Sequence, residues 1–133
     1  MKRQVCWIAV LGSVLLPLGL QADQRLPIAA MQREMEVVRQ LLAERGADVD
    51  ALGPHATPAL HWLVHYEELD LAKRLLDAGA NVNQPSGLGV SALSLAIENR
   101  DAGIVQLLLA HGADTNTPDV AGETPLMQAA RSG

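Results

Sequence analysis

The sequence predicts an all-α solenoid of stacked helix-turn-helix units joined by extended turns, and three observations carry that expectation. Gly46-Ala47, Gly79-Ala80 and Gly112-Ala113 recur at a spacing of 33, a period that marks a stack of small units rather than one closed core. With Gly near 7% of residues, two further coincidences at fixed offsets have odds of about one in two hundred. Apolar residues within a period fall at helical spacing, as in Ile104, Val105, Leu107, Leu108 and Leu109. Finally, the chain is 49% hydrophobic but only 2% aromatic, with no Phe. Leu, Val, Ile and Ala must therefore fill the core, which suits thin layers of closely spaced helices.

Steps of 33 align Val38 with Leu71 and Ile104, Leu42 with Leu75 and Leu108, and Asp50 with Asn83 and Asn116. They also align Leu60 with Leu93 and Leu126, and Leu63 with Ala96 and Ala129. Each unit reads physically. Ser91 and Thr124 follow Gly89-Val90 and Gly122-Glu123, so a turn leads into a hydroxyl that caps the first free N–H groups of a helix. Pro125 then stands at a first helical position, where its missing N–H costs nothing. The pattern predicts a first helix over about 92–99, with Ala96 allowing close approach of the next layer, and a second over about 102–111. Gly112 ends the second helix in the left-handed conformation.

These motifs resemble the ankyrin repeat. The nearest copies of that family's pattern are Gly122-Glu123-Thr124-Pro125-Leu126 with Ala129-Ala130, and Ile104-Val105-Gln106-Leu107-Leu108-Leu109 followed by Gly112-Ala113-Asp114. The resemblance covers nearly everything after residue 25. The first unit, 24–51, lacks the preceding turn, and its Leu26-Pro27 fits the register poorly, so it reads as an N-terminal cap with a second helix over 35–45. The unit at 54–83 carries Trp62, Leu63 and Val64 where the family prefers small residues. The last unit reaches only Arg131-Ser132-Gly133, the point at which the family's second helix begins, and so reads as a truncated fourth unit or the start of a longer array.

The N-terminus reads as an export signal over residues 1–22, with a repeat domain over 23–133. Lys2 and Arg3 precede an apolar run from Val5 to Leu20, and the polar flank starts at Gln21. The run is shorter than the roughly 20 residues that span hydrocarbon, which disfavours an anchor, and Cys6 lies too early to be a lipid attachment site. Cleavage after Ala22 leaves Asp23 first, although Leu20 is larger than the small residue preferred two places before the cut. It also removes the only cysteine, so stability must come from packing rather than disulfides. The formal charge is −5, and losing Lys2 and Arg3 makes it more negative. Neither nucleic acid nor an anionic membrane surface is expected as partner, because both want clustered Lys and Arg.

No arrangement suggests an enzyme. His61, His65 and Glu68 have helical spacing compatible with a metal site, but the resemblance gives His61 a turn-bonding role, and no metal or cofactor is expected. Glu67, Glu68 and Asp70 read as a solvated run, and Ser91 and Ser94 as cap and helix surface. The resemblance implies partner binding at the turn tips and the groove-facing side of the first helices. There the sequence places His65, Tyr66, Leu88, Val90, Glu98, Asn99, Val120, Glu123 and Arg131. Tyr66 reads either as an exposed anchor for a partner or as cover for the core beneath Trp62 and Leu63. The expected function is a monomeric, non-enzymatic protein-binding module of the periplasm or secreted space, in an exported and bacterial protein, acting as scaffold or inhibitor. Two alternatives stay open: the N-terminal stack of a larger exported protein with an enzymatic or adhesive domain, and an immunity-type or enzyme-protecting envelope protein.

Overall fold

The structure is a computed structural model that describes residues 24–44 and 47–132. The proposed signal at 1–22 and Gly46 lie outside the described residues.

Three side chains start helices in the way their chemistry dictates. Ser91 Oγ accepts from the Ser94 amide at 3.1 Å, Asp101 Oδ1 from the Ile104 amide at 3.1 Å, and Thr124 Oγ1 from the Met127 amide at 3.2 Å. Each satisfies one N–H that a helix N-terminus leaves bare. Pro58 stands where Ser91 and Thr124 stand in later units, and the helix after it has no side-chain cap.

Among the described residues seven α-helices form two layers. The inner layer holds α1 (Arg25–Met31), α3 (Ala59–His65), α5 (Ala92–Glu98) and α7 (Pro125–Ser132). The outer layer holds α2 (Met35–Ala43), α4 (Leu69–Asp77) and α6 (Ala102–Ala110). Each inner helix packs on the next inner helix, each outer helix on the next outer one, and each pair on itself. The core is one continuous strip: Leu26, Ala29, Leu60, Leu63, Val64, Leu93 and Ala96 from inside, Val38, Leu41, Leu71, Leu75, Ile104 and Leu108 from outside. No helix of the described residues is long and apolar enough to cross a membrane.

The first unit is regular, which corrects the poor register expected of Leu26-Pro27. Successive inner helices start 34, 33 and 33 residues apart, whereas inner and outer helix starts lie 10 apart in each of the first three units. One extra residue therefore sits between α2 and α3. Because Glu44-Arg45 precedes Gly46 where Ala78 alone precedes Gly79, the insertion falls at the end of α2. Moved by one, Leu26 joins the column of Leu60 and Leu93, and all three are buried.

Extended turns link the units with one repeated bond: the amides of Gly53, Ser86 and Asp119 donate to the carbonyls of Thr57, Val90 and Glu123 at 3.0, 3.0 and 2.9 Å. Gly89 and Gly122 take φ of +74° and +82° at these tips, and Ala56 holds the same column at +51°, a conformation that disfavours a side chain. A polar ladder runs alongside. Asp50 Oδ1 accepts from the Asn81 amide at 2.6 Å, and one unit later Asn83 Oδ1 accepts from the Asp114 amide at 2.7 Å. Aspartate and asparagine both supply that oxygen, and Asn83 adds a bond that aspartate lacks, its Nδ2 donating to the Gly112 carbonyl at 3.2 Å.

Gly79 and Gly112 follow α4 and α6 at φ of +100° and +87°, as the sequence predicts for helix stops. A Cβ at either would meet nothing within 4 Å, so the cost of a substitution is purely conformational. Gly112→Val is expected to lower the unfolding free energy by more than about 1 kcal/mol, because β-branching worsens the left-handed penalty. An unchanged urea midpoint refutes the role.

Candidate functional site

The two aromatic residues of the described chain, Trp62 and Tyr66, share α3 and the turn after it. Spaced four apart they meet on one helix face, ring centroids 6.3 Å apart in a stacked arrangement. His65 stands edge-on to both, 5.0 Å from the Tyr66 ring. Arg33, from the turn after α1, places its guanidinium 4.9 Å from the same ring, a cation–π contact.

Beside Trp62 lies a cleft of about 200 Å3 lined by Thr57, His61, Trp62, His65, Ser86, Leu88, Val90 and Leu95. Helix α3 supplies one wall, Leu95 of α5 the other, and the tip at 86–90 the lip. His61 is 2% exposed, and its Nε2 lies 2.8 Å from the Val90 carbonyl oxygen. The neutral ring therefore donates from Nε2 and ties one inner helix to the next unit's tip. Burial pushes the His61 pKa below the ordinary 6.5, only partly offset by that bond. Two buried polar atoms on the cleft's own residues, His61 Nδ1 and Trp62 Nε1, have no hydrogen-bond partner.

The sequence-predicted positions fall into three groups. His65, Leu88 and Val90 line the cleft, with Leu88 70% exposed on its lip. Tyr66 and Asn99, one period apart, are pegs between units: Tyr66 Oη donates to the Met31 carbonyl at 3.0 Å and Asn99 Nδ2 to the Val64 carbonyl at 3.1 Å, each reaching back 35 residues. Tyr66 is accordingly half-buried with its hydroxyl engaged, not the free anchor that was one of its two expected roles. Glu98 is exposed at the last position of α5, just before Asn99. Val120 is 79% exposed on the next tip, its Cγ1 against Gly89. Glu123 and Arg131 bind each other through two bonds of 2.7 and 3.1 Å, so their charges are mutually satisfied. The structure adds Trp62, Leu95 and Ser86 to the site. Trp62 was visible as an oversized residue in the sequence, but nothing there showed that it faces a cleft.

The peg roles carry an expected result. Tyr66→Phe and Asn99→Ala should each lower stability by about 1 kcal/mol, since each removes a bond to a carbonyl of the preceding unit. Thermal unfolding of the two single variants checks this, and two unaltered melting temperatures exclude the pegs.

Among the described residues no group of three or more His, Cys, Asp or Glu side chains is placed to hold a metal ion. What the surface offers is shape, apolar area and hydrogen bonds along a stack of uniform units. The family described as ankyrin repeats (3 copies) matches residues 60–133. The chain belongs to the ankyrin-repeat family. A further similarity is to the palmitoyltransferase akr1 of Schizosaccharomyces pombe, 35% identical over 60 residues. That stretch is 45% of this chain but only 9% of the fungal protein's length. Ankyrin repeats are protein-interaction units and are typically non-catalytic. As ankyrin structure, His61 is the turn-bonding histidine that the resemblance implied.

Proposed function

We propose that this ankyrin protein is a non-enzymatic binding module that acts as a monomer outside the cytoplasm, as scaffold or inhibitor of a protein partner. The observation that carries the binding role is the pair of tip residues Leu88 and Val120, 70% and 79% exposed. Stacking needs neither of them, and exposed apolar side chains beside a cleft are what a partner's surface covers. Export rests on the basic start and apolar run of residues 1–22. The fungal relative lends no support to the bacterial source that composition suggested.

The test expresses the full chain with a C-terminal tag in its source and captures partners from secreted and envelope fractions, alongside Leu88→Asp/Val120→Asp. A partner held by the native chain and lost by the variant, with Asp23 as the first residue found by N-terminal sequencing, supports the reading. A protein retained in the cytoplasm with Met1 intact overturns export, and a variant that captures equally well overturns the tips.

A second reading, that this is the N-terminal stack of a longer array, is favoured by α7. Leu126 and Met127 are each 58% exposed, whereas Leu60, Leu93, His61 and Ser94 in the same columns are buried. Appending one more ankyrin unit after Gly133 is expected to raise the melting temperature and slow amide exchange around Leu126.

A further inference from the structure

We infer that His61 is an acid-sensitive latch on the tip at 86–90, which it holds at neutral pH and releases in mild acid while the tip at 119–123 stays as it is.

The two tips are built alike. In one, the Ser86 amide donates to the Val90 carbonyl at 3.0 Å and the Gly89 amide to the Ser86 carbonyl at 2.8 Å; in the other, the Asp119 and Gly122 amides donate to the Glu123 and Asp119 carbonyls at 2.9 and 3.0 Å. One further bond separates them. The Val90 carbonyl also accepts from His61 Nε2 at 2.8 Å, so the first tip is tied to α3 of the unit before it. One period on, Ser94 stands in the place of His61 with its hydroxyl accepting from Ser91 Oγ, and among the described residues no side chain donates to the Glu123 carbonyl.

The tie fits only one protonation state of the ring. His61 is buried, and its Nδ1 has no partner. The neutral ring leaves a bare acceptor there, whereas a protonated ring leaves a bare cationic N–H, which is far costlier to bury. The charged ring gains by turning out to water, and turning out breaks the Val90 bond. Leu88, between Gly87 and Gly89, then rides on a tip held by its own short bonds. The surrounding elements bring no charge to offset this. The tip itself carries none, α1 has Arg25, paired with Glu44, and α5 has Glu98, which is exposed. In α4, Asp70, Lys73, Arg74 and Asp77 are paired among themselves and with His111. His65 lines the same cleft, and His55 stands on the preceding tip. The pKa of His61 is accordingly lowered first by burial and opposed only by the Val90 bond.

Pro58 is what leaves Nδ1 bare. It precedes α3 as Ser91 precedes α5, with φ/ψ of −67°/156° against −86°/156°. Ser91 Oγ accepts from the Ser94 amide and gives its own hydrogen to the Ser94 side chain, both at 3.1 Å. A hydroxyl at 58 would accept from the His61 amide and donate to Nδ1, a bond that only the neutral ring can accept. Lacking it, the latch opens nearer to neutrality. Because Leu88 is a tip residue that a partner covers, the latch makes that contact pH-dependent. This consequence rests on the interaction-module reading, but release of the tip is measured without a partner, so either can fail alone.

The experiment follows the native spectrum of the 15N-labelled full chain from about pH 7.5 to 5, together with the His61 ring proton, assigned by its loss in His61→Gln. The Ser86, Leu88 and Gly89 amides should shift, and the Leu88 amide should lose nanosecond order, at the midpoint of the His61 ring and below pH 6.5. The Asp119 and Gly122 amides should not follow. His61→Gln, which keeps an N–H for Val90 and does not titrate, should abolish the response. Pro58→Thr should move the ring and tip midpoints down together by about half a pH unit or more. A tip response that survives His61→Gln, or that follows the His55 or His65 ring instead, overturns the latch. So does a His61 ring that titrates while the tip stays still, or that stays neutral throughout. Movement of the 119–123 tip at the same midpoint means that the whole stack loosens, and a midpoint unmoved by Pro58→Thr means that Nδ1 does not set it; each overturns the proposal.

Discussion

Leu108→Ala is expected to lower the unfolding free energy by about 3 kcal/mol, while Leu109→Ala costs no more than about 0.5 kcal/mol. The residues are neighbours of one type on one helix, so intrinsic helix preference cancels from the comparison. Leu108 is fully buried in the strip where α6 meets α4 and α5, and Leu109 is 45% exposed on the far side. Truncating Leu108 loses the transfer energy of its buried carbons and leaves a void that helices fixed by their neighbours close only in part. Truncating Leu109 removes atoms that water already reaches, and Ala is the better helix former. Urea midpoints of the two variants against the native chain make the test. Equal midpoints would mean that α6 is rotated from the orientation described.

The second large effect is a loss of stability in mild acid, and it originates in His61. Its folded pKa lies below 6.5, first because burial opposes charge. The unfolded chain therefore takes up the proton first, and the stability tied to neutral His61 is fully present above pH 6.5. It declines as pH falls below 6.5 and stops declining once pH is beneath the folded pKa. The mechanism is concrete: protonating Nδ1 puts a cation at a buried atom that has no hydrogen-bond partner. The expected result is a urea midpoint that is level from pH 8 to 7 and drops toward pH 5. His61→Gln should be less stable throughout, by about 1–3 kcal/mol, but should lose that drop. A variant that keeps the full drop assigns it elsewhere. Asp77 is held below 3.8, first by its bond from Lys73 and then by His111, and Asp114 below 3.8, first by the Asn116 amide. Their contributions are lost only as pH falls under 3.8, well apart from the His61 window.

Period, helix order, the caps at Ser91 and Thr124 and the stops at Gly79 and Gly112 were legible because each is local chemistry repeated in register. The insertion was hidden by the same regularity. Gly46 keeps step with Gly79 and draws the eye past the extra residue behind it, which then leaves Leu26 looking out of place. The site was less legible. His65, Leu88 and Val90 could be placed from the period alone, since position in the unit decides which side chains the stack leaves over. Tyr66 and Asn99 could not, because their roles depend on carbonyls 35 residues away that no pattern of side-chain types reveals. The unmet polar atoms of His61 and Trp62 were invisible for a related reason: burial without a partner is a property of surroundings.

The reach of the pegs and the ladder has a consequence for how the molecule is made. The described side-chain hydrogen bonds between units span 28 to 35 residues, about one unit. Each unit thus needs only the one before it as a template, and closing such short loops costs little entropy. A chain synthesised from its N-terminus therefore gains native structure one layer at a time as it emerges, with Tyr66 and Asn99 latching each newcomer onto a layer already in place.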